Sequence, residues 1–410
     1  MSFLEQFPNR DTLLNLFNEE KSVFPMKVNN HIHTPYSFSA FETVTQAVRM
    51  AVAEDLRILG INDFYVTDGY KEFIEECIDH GMFPLLNIEP IGISKADQDA
   101  GILVNDASNP GRTYISGKGL QFPVELPENQ SNKLASIVKE SNLQVAKMVE
   151  LVNEWFEKQE VEITLSVDEI MEELAVNLLR ERHVAKMVRL KLAKLASDDM
   201  MYYEVLTKIY GGQSFTKRRE DIAGTEDELR SKLLKSGAPA FVPEDENAFL
   251  PLEEIVQIIR DAGGIPTYPL LLDGTGGEIT EFENGKEKLL EVLESRGFDS
   301  IEFIPLRNDI GILKEYAEYF YKEGFTVSFG TEHNTSKLGP LAVSCKGDVP
   351  LDDSLMKITF LGAAYVAAHQ YLVVKESMGY ERPSREKMEL LGRAIFQYYF
   401  NTYNPSLKDN

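Results

Sequence analysis

Apolar residues recur along this chain in two alternating rhythms. Short runs such as Ile58-Leu59-Gly60-Ile61-Asn62-Asp63-Phe64 and Phe83-Pro84-Leu85-Leu86-Asn87-Ile88-Glu89 read as buried strands that end in polar residues. Around them, Leu13, Leu14 and Phe17 in 11–20, and Val44, Ala47, Val48, Ala51 and Val52 in 41–55, keep the spacing of a helix. Another helix is expected from Tyr70 to Asp79. After residue 250 the alternation resumes, with a helix opened by Pro251 and stopped at Ala262-Gly263-Gly264, then a strand at 265–270. A helix at 285–297, a strand at 300–304, a helix from Asp309 to Glu323 and a strand at 325–329 follow. From Ser354 the chain reads as mostly helix and closes in a polar tail at Asp409-Asn410. Strands alternating with helices predict a parallel α/β sheet or barrel, whose chemistry collects where strands end.

The middle of the chain breaks this rhythm. Between Ser131 and Lys235, Leu134, Ile137, Val138, Val145, Met148, Val149, Val152 and Trp155 hold helical spacing, with little strand signal. Ser166-Val167-Asp168-Glu169 and Thr225-Glu226-Asp227-Glu228 match capping boxes and predict helix starts. Three sections are therefore expected: 1–130, a helical insertion at 131–245 that caps a site, and 246–410. The stretch 97–130 reads as loop. Its glycines with Arg112 and Lys118 form either an anion cradle or a flexible turn.

A formal charge of −24 over 410 residues disfavours nucleic acid and anionic membranes as partners. An anionic small substrate then needs a metal or local arginines to offset that field. No apolar run is long enough to span a bilayer. The first residues carry Glu5, Arg10 and Asp11 without an apolar stretch, and two cysteines, Cys77 and Cys345, cannot build a disulfide framework. Both features fit a reducing cytoplasm.

Two of the six histidines stand together as His31-Ile32-His33. On a strand over 26–33, alternation points both imidazoles to one face, the geometry of two ligands on one ion. The plain alternative is two unrelated polar residues at a strand terminus. Asp63, Glu89, Glu332 and His333 fall at later strand ends. Asp63 is expected either to orient an imidazole or to cap the next turn. His183 and His369 read as structural.

These residues, in this order, resemble the PHP (polymerase and histidinol phosphatase) superfamily. The resemblance covers most of the chain outside the insertion. It rests on His31-Ile32-His33 with Ser37, on Asn62-Asp63, Ile88-Glu89, Gly263-Gly264-Ile265-Pro266 and Gly330-Thr331-Glu332-His333. It implies a distorted seven-stranded β/α (TIM-like) barrel with a helical insertion, up to three metal ions and phosphoester hydrolysis. Carried over position by position, it implies His31, His33 and Glu89 as metal ligands, joined by Glu332 or His333. It also implies catalytic roles for Glu89, Asp63 and His333. The match has gaps. Phe38 stands where the family has an aspartate, Phe64 and Tyr114 where it has histidines, and Tyr268 where it has the histidine of Ala-His-Pro. The closing Ser-Asp-x-His reads Thr331-Glu332-His333-Asn334.

Phenylalanine has no lone pair, and Tyr268 ligates only as a phenolate. The expectation is therefore one divalent ion, Zn, Mn or Fe, rather than two or three. The expected activity is a metal-dependent hydrolase, phosphoesterase-like, on a small anionic metabolite that meets Arg112, Lys118, Arg307, Tyr268 and Asn334. The competing reading is a non-catalytic ligand-binding protein of the same fold, its pocket lined by Phe38, Phe64, Tyr114 and Tyr268.

Overall fold

Seven strands form one sheet that curls into a nearly closed barrel, each strand beside the next in the chain. They are β1 (Val28–Ile32), β2 (Ile58–Phe64), β3 (Phe83–Glu89), β4 (Ser116–Lys118), β5 (Ile265–Pro269), β6 (Ser300–Phe303) and β7 (Thr326–Phe329). The computed structural model describes residues 2–22, 24–273, 279–379 and 384–403, so the polar tail at Asp409-Asn410 lies outside the described residues. Pairing is parallel except at β4, which runs antiparallel to β3 through Ile88–Gly117 and to β5 through Ser116–Thr267. The last strand meets the first through the turn that follows it. The Thr331 and Glu332 amides donate to the His31 carbonyl, and the His33 amide donates to the Glu332 carbonyl at 2.7 Å. Gly330 is required at this seam, because a Cβ there would lie 2.2 Å from the His31 Cβ. The architecture is the distorted TIM-like barrel expected from the sequence.

β4 corrects the reading of 97–130 as loop. Three residues show no period, and this strand is held by what lies opposite it in the barrel. Lys118 Nζ donates to Glu302 at 2.5 Å and to the Asn30 carbonyl at 3.1 Å, and Ser116 Oγ donates to Glu302 at 2.8 Å. The barrel centre is thus a hydrogen-bonded polar column, where branched apolar residues usually fill such barrels. Burying these groups is tolerable because each finds a partner.

Helices surround the strands: α1 (Arg10–Leu16), α2 (Val44–Ala53) and α3 (Tyr70–Asp79), then α4 (Glu128–Lys158), α5 (Val167–Leu174), α6 (Glu181–Leu195), α7 (Asp199–Ile209) and α8 (Ile222–Leu229). The second half adds α9 (Leu252–Asp261), α10 (Lys286–Ser295), α11 (Ile310–Lys322), α12 (Asp353–Glu376) and α13 (Arg385–Tyr403). Helices α4 to α8 bury an apolar cluster of their own, including Val152, Phe156, Ile170, Val184, Leu206 and Leu229. Ser166 caps α5 as its capping box implies, accepting from the Glu169 amide. Thr225 does not start a helix. Asp221, the stronger cap, takes that place for α8, and Thr225 lies a turn inside with its hydroxyl donating to the Arg218 carbonyl.

α12 is buried on every side from Ile358 to Val373 because it lies between β7 and α13. Gly362 faces the Val327 carbonyl, and Gly392 of α13 faces the Ala364 carbonyl, so both helices press onto neighbouring backbone. His369 is packed core, its Nε2 2.8 Å from the Gly263 carbonyl. Among the described residues no helix is long and apolar enough to cross a membrane.

Candidate functional site

β1 presents His31, the residue after its end is His33, and β3 ends in Glu89. Three atoms converge: the two Nε2 nitrogens lie 3.2 Å apart, with Glu89 Oε2 at 3.1 Å from His33 and 3.8 Å from His31. All three residues are buried. The circle through these atoms has a radius of about 2.0 Å, matching a Zn–N bond of about 2.0–2.1 Å. The three are a candidate metal site.

The surroundings settle where each ring proton sits. His31 Nδ1 lies 2.9 Å from Glu302 Oε2, which only accepts, so Nδ1 carries the hydrogen. His33 Nδ1 lies 3.2 Å from Ser37 Oγ, whose own hydrogen goes to Asp63 Oδ1 at 2.6 Å. Ser37 therefore accepts from His33. In their neutral forms both rings turn an Nε2 lone pair to the centre, the arrangement in which a second residue fixes a metal-binding imidazole. Two bare nitrogens beside a carboxylate repel one another unless a cation stands between them, a proton on His31 or a metal. The donor set fits a divalent ion.

Without an ion, electrostatics favour a proton on His31 and a bare nitrogen on His33. Burial opposes charge on His31, but Glu302 and Glu89 outweigh it and raise its pKa. Burial and the neighbouring His31 hold His33 well below its ordinary value. Burial pushes Glu89 up to about 7, against the pull of His31, Lys118 and Arg180. Glu302 is the reverse case: burial would raise it, yet Lys118 and His31 bring it down to about 2. It is a permanent anion behind His31.

The other expected site residues divide. Asp63 is buried beneath the centre, accepting from the Thr34 amide at 2.7 Å, Thr34 Oγ1 at 2.5 Å and Ser37, while burial lifts it to about 6. It braces the turn that carries His33. Glu332 and His333 both sit at positive φ, 61° and 57°, and the turn sends them opposite ways. Glu332 lines the cavity described below. His333, expected as ligand and catalyst, leaves the cluster: it stacks on Phe41 at 5.0 Å, with Nδ1 2.7 Å from Thr331 Oγ1 and Nε2 3.1 Å from the Gly339 carbonyl. Tyr268, expected at the substrate, is also elsewhere. Its ring is buried with Phe298, and its hydroxyl donates to Glu283 at 2.9 Å. Lys118 does not meet a ligand at the surface; it is wholly buried and paired with Glu302. Arg112, Arg307 and Asn334 do line the cavity. Arg112 is held by Glu244 at 2.5 Å, and Arg307 by Asp273 at 2.9 Å.

A cavity of about 980 Å³ opens over Glu89, between the barrel mouth and the helices of the central section. It lies at the upper end of ligand-pocket sizes. Phe38, Phe64 and Tyr114 wall it from the barrel, and Arg180, Arg182 and Arg230 from the helices. Two of the aromatic residues receive the helices directly. Phe38 meets His183 edge-on at 4.8 Å, and Phe64 lies between the His33 ring, 4.4 Å away, and the Arg180 guanidinium, 4.7 Å away. Glu302, Ser116 and Arg180 were not singled out from the sequence. For Glu302 a signal was present, a carboxylate in the middle of an apolar strand, which stays charged inside a protein only when paired.

No protein-family profile matches the chain, and no curated protein matches it. Solved structures do. A protein from Bifidobacterium adolescentis, provisionally described as a metal-dependent phosphoesterase, superposes with a TM-score of 0.54 at 16% identity, over 82% of this chain and 96% of that one. What is shared is the fold. An amidohydrolase from Chromobacterium violaceum, solved with sulfate and no metal, gives a TM-score of 0.47 at 17% identity, over 78% of this chain and 93% of that one.

Proposed function

We propose that this chain is a PHP-type metal-dependent hydrolase, phosphoesterase-like on a small anionic metabolite, with 131–245 as a cap over the site. One divalent ion, Zn, Mn or Fe, is held by His31, His33 and Glu89, with Glu332, which lines the same cavity, as a further candidate. The observation that carries this is the convergence of three ligand atoms, with the Nδ1 of each imidazole held by a neighbouring oxygen. Phe38 and Phe64 offer no lone pair where the resemblance calls for further ligands, so a second ion lacks donors. When bound, the ion supplies Lewis acidity to a phosphoryl oxygen and acidifies water. The chain's own residues do the rest. Glu302 keeps the proton on His31 Nδ1, the Ser37–Asp63 pair does so for His33, and the Phe64 ring shields one face of His33 from water. The charge of −24 supports a small substrate over nucleic acid or a membrane surface.

Elemental analysis of the purified protein and of a His31→Ala/His33→Ala variant tests the reading. About one metal per chain in the first and none in the second supports it, and justifies a phosphoester screen with Mn and Zn. Native protein that takes up neither ion sinks it. A second reading, ligand binding without catalysis, draws on Phe38, Phe64 and Tyr114 in the cavity wall. It expects ligand affinity to survive chelation unchanged.

A further inference from the structure

Six cationic side chains line the cavity: Arg112, Arg180, Arg182, Arg230, Lys235 and Arg307. Five of them are engaged. Arg112 pairs with Glu244 and Arg307 with Asp273, as above; Arg182 lies 3.6 Å from Asp227; Arg230 and Lys235 share Glu181 at 2.7 and 3.2 Å. Of these six, the Arg180 guanidinium alone has no carboxylate in ion-pair contact and no hydrogen-bond acceptor among the described residues. Its Cζ lies 4.7 Å from the centre of the Phe64 ring, which in turn lies 4.4 Å from the ring of the metal-ligating candidate His33. The backbone beneath it is fixed too. The Arg180 amide donates to His183 Nδ1 at 2.9 Å, and the Leu179 amide to Asn142 Oδ1 at 2.7 Å.

We infer that Arg180 is the anion-binding residue of this site, holding the phosphoryl oxygens of a phosphate monoester beside the His31–His33–Glu89 cluster. The inference rests on the phosphoesterase-like reading and adds to it the residue that takes the substrate's charge. The ring beneath Arg180 orders a long side chain by a cation–π contact while leaving the N–H edge free. A planar guanidinium with a free edge matches two oxygens of a phosphoryl group. Glu89, Glu302 and Glu332 line the same cavity, so an anion enters only where an unpaired cation offsets them. Phe64 stands where the resemblance expects a ligand for a further ion. That position contributes positive charge through the arginine stacked on it instead.

Inorganic phosphate is the probe. Its Kd is measured by calorimetry on metal-free and Zn-loaded protein for the native chain, Arg180→Met, Arg180→Lys and Arg112→Met, with metal content and thermal midpoint recorded for each. Arg180→Met is expected to weaken phosphate about tenfold in both states, which is about 1.4 kcal/mol, at unchanged metal content. Arg180→Lys loses less, since it keeps the charge and gives up the fork. Arg112→Met loses less than either, because its guanidinium is engaged by Glu244. Native affinity in a folded, metal-replete Arg180→Met overturns the inference and leaves the metal site standing. An equal loss in Arg112→Met overturns it as well. Should Arg180→Met fail to fold, Arg180→Lys decides: native affinity overturns the inference, and a loss of about threefold or more supports it. Absence of metal from every protein would remove the hydrolase reading alone, since phosphate binding is read in the metal-free state too.

Discussion

Ser37 shows how much of this site is held by groups that touch no ligand. It accepts the His33 Nδ1 hydrogen and passes its own to Asp63. Ser37→Ala removes that acceptor without opening a large cavity, and His33 is then free to place its hydrogen on Nε2. Metal affinity is expected to fall about tenfold to a hundredfold, with the fold intact, in a competition titration against a chromophoric chelator. Glu302→Gln is expected to do more damage. It weakens the hold on His31 and also leaves Lys118 buried without an anion, a loss of stability of about 3–5 kcal/mol. A buried carboxyl away from the centre yields a pH test. Burial pushes Glu283 up to about 8, against the Leu271 amide, Thr280 and Tyr268. The unfolded chain ionises this group near its ordinary value, while the folded chain still holds it protonated. Stability from Glu283 is therefore complete below about pH 4.5 and declines as pH rises to about 8, by at most about 1.4 kcal/mol per unit. The stability gap between the native chain and Glu283→Gln should shrink from pH 5 to pH 8 in urea titrations. A gap that widens with pH would refute this.

Two glycines mark where whole elements meet. Gly362 lets α12 rest on β7, and a Cβ there would lie 1.9 Å from the Val327 carbonyl oxygen. Gly330 lets the end of β7 close on β1 beside His31. Alanine at either position overpacks the contact, at a cost of about 1–3 kcal/mol or more. The two should differ in a second measurement. At a temperature where both variants remain folded, Gly330→Ala is expected to lose metal affinity because it displaces His31. Gly362→Ala should keep it. The same seam explains the positive φ of Glu332 and His333, since the chain turns back sharply after donating to β1. Such strain persists only where the surroundings enforce it.

At the scale of the molecule, the central helices close over the barrel mouth through a few side chains. Phe38 meets His183, Phe64 carries Arg180, Asn177 donates to Asp68 at 3.0 Å, and Ser336 donates to Glu226. An ion held by His31, His33 and Glu89 would tie β1 to β3 in the native state and would have no comparable site in the unfolded chain. At a free Zn concentration a hundred times its Kd, native protein gains about 2.7 kcal/mol, seen as a higher thermal midpoint that chelation reverses. His31→Ala/His33→Ala should melt at one temperature with or without Zn. A Zn-dependent shift that survives in that variant would place the ion elsewhere.

What the sequence determined by itself is what local period can carry. Alternation of strand and helix, apolar runs closing on polar residues, and the shared face of His31 and His33 are all properties of neighbouring residues, and an α/β sheet or barrel and the ends of β1 and β3 follow from them, while the choice of a barrel came from the resemblance. Tertiary structure decided the rest, because it concerns residues far apart in the chain. Glu302 reaches His31 across 271 positions, and β4 is a strand only because Glu302 and Asn30 wait opposite it. Whether Glu332 or His333 faces inward depends on a seam between the first strand and the last. Arg112 and Arg180 look alike in sequence. One meets Glu244 and the other lies on Phe64, so only the fold determines which of two equal charges is left free for a ligand.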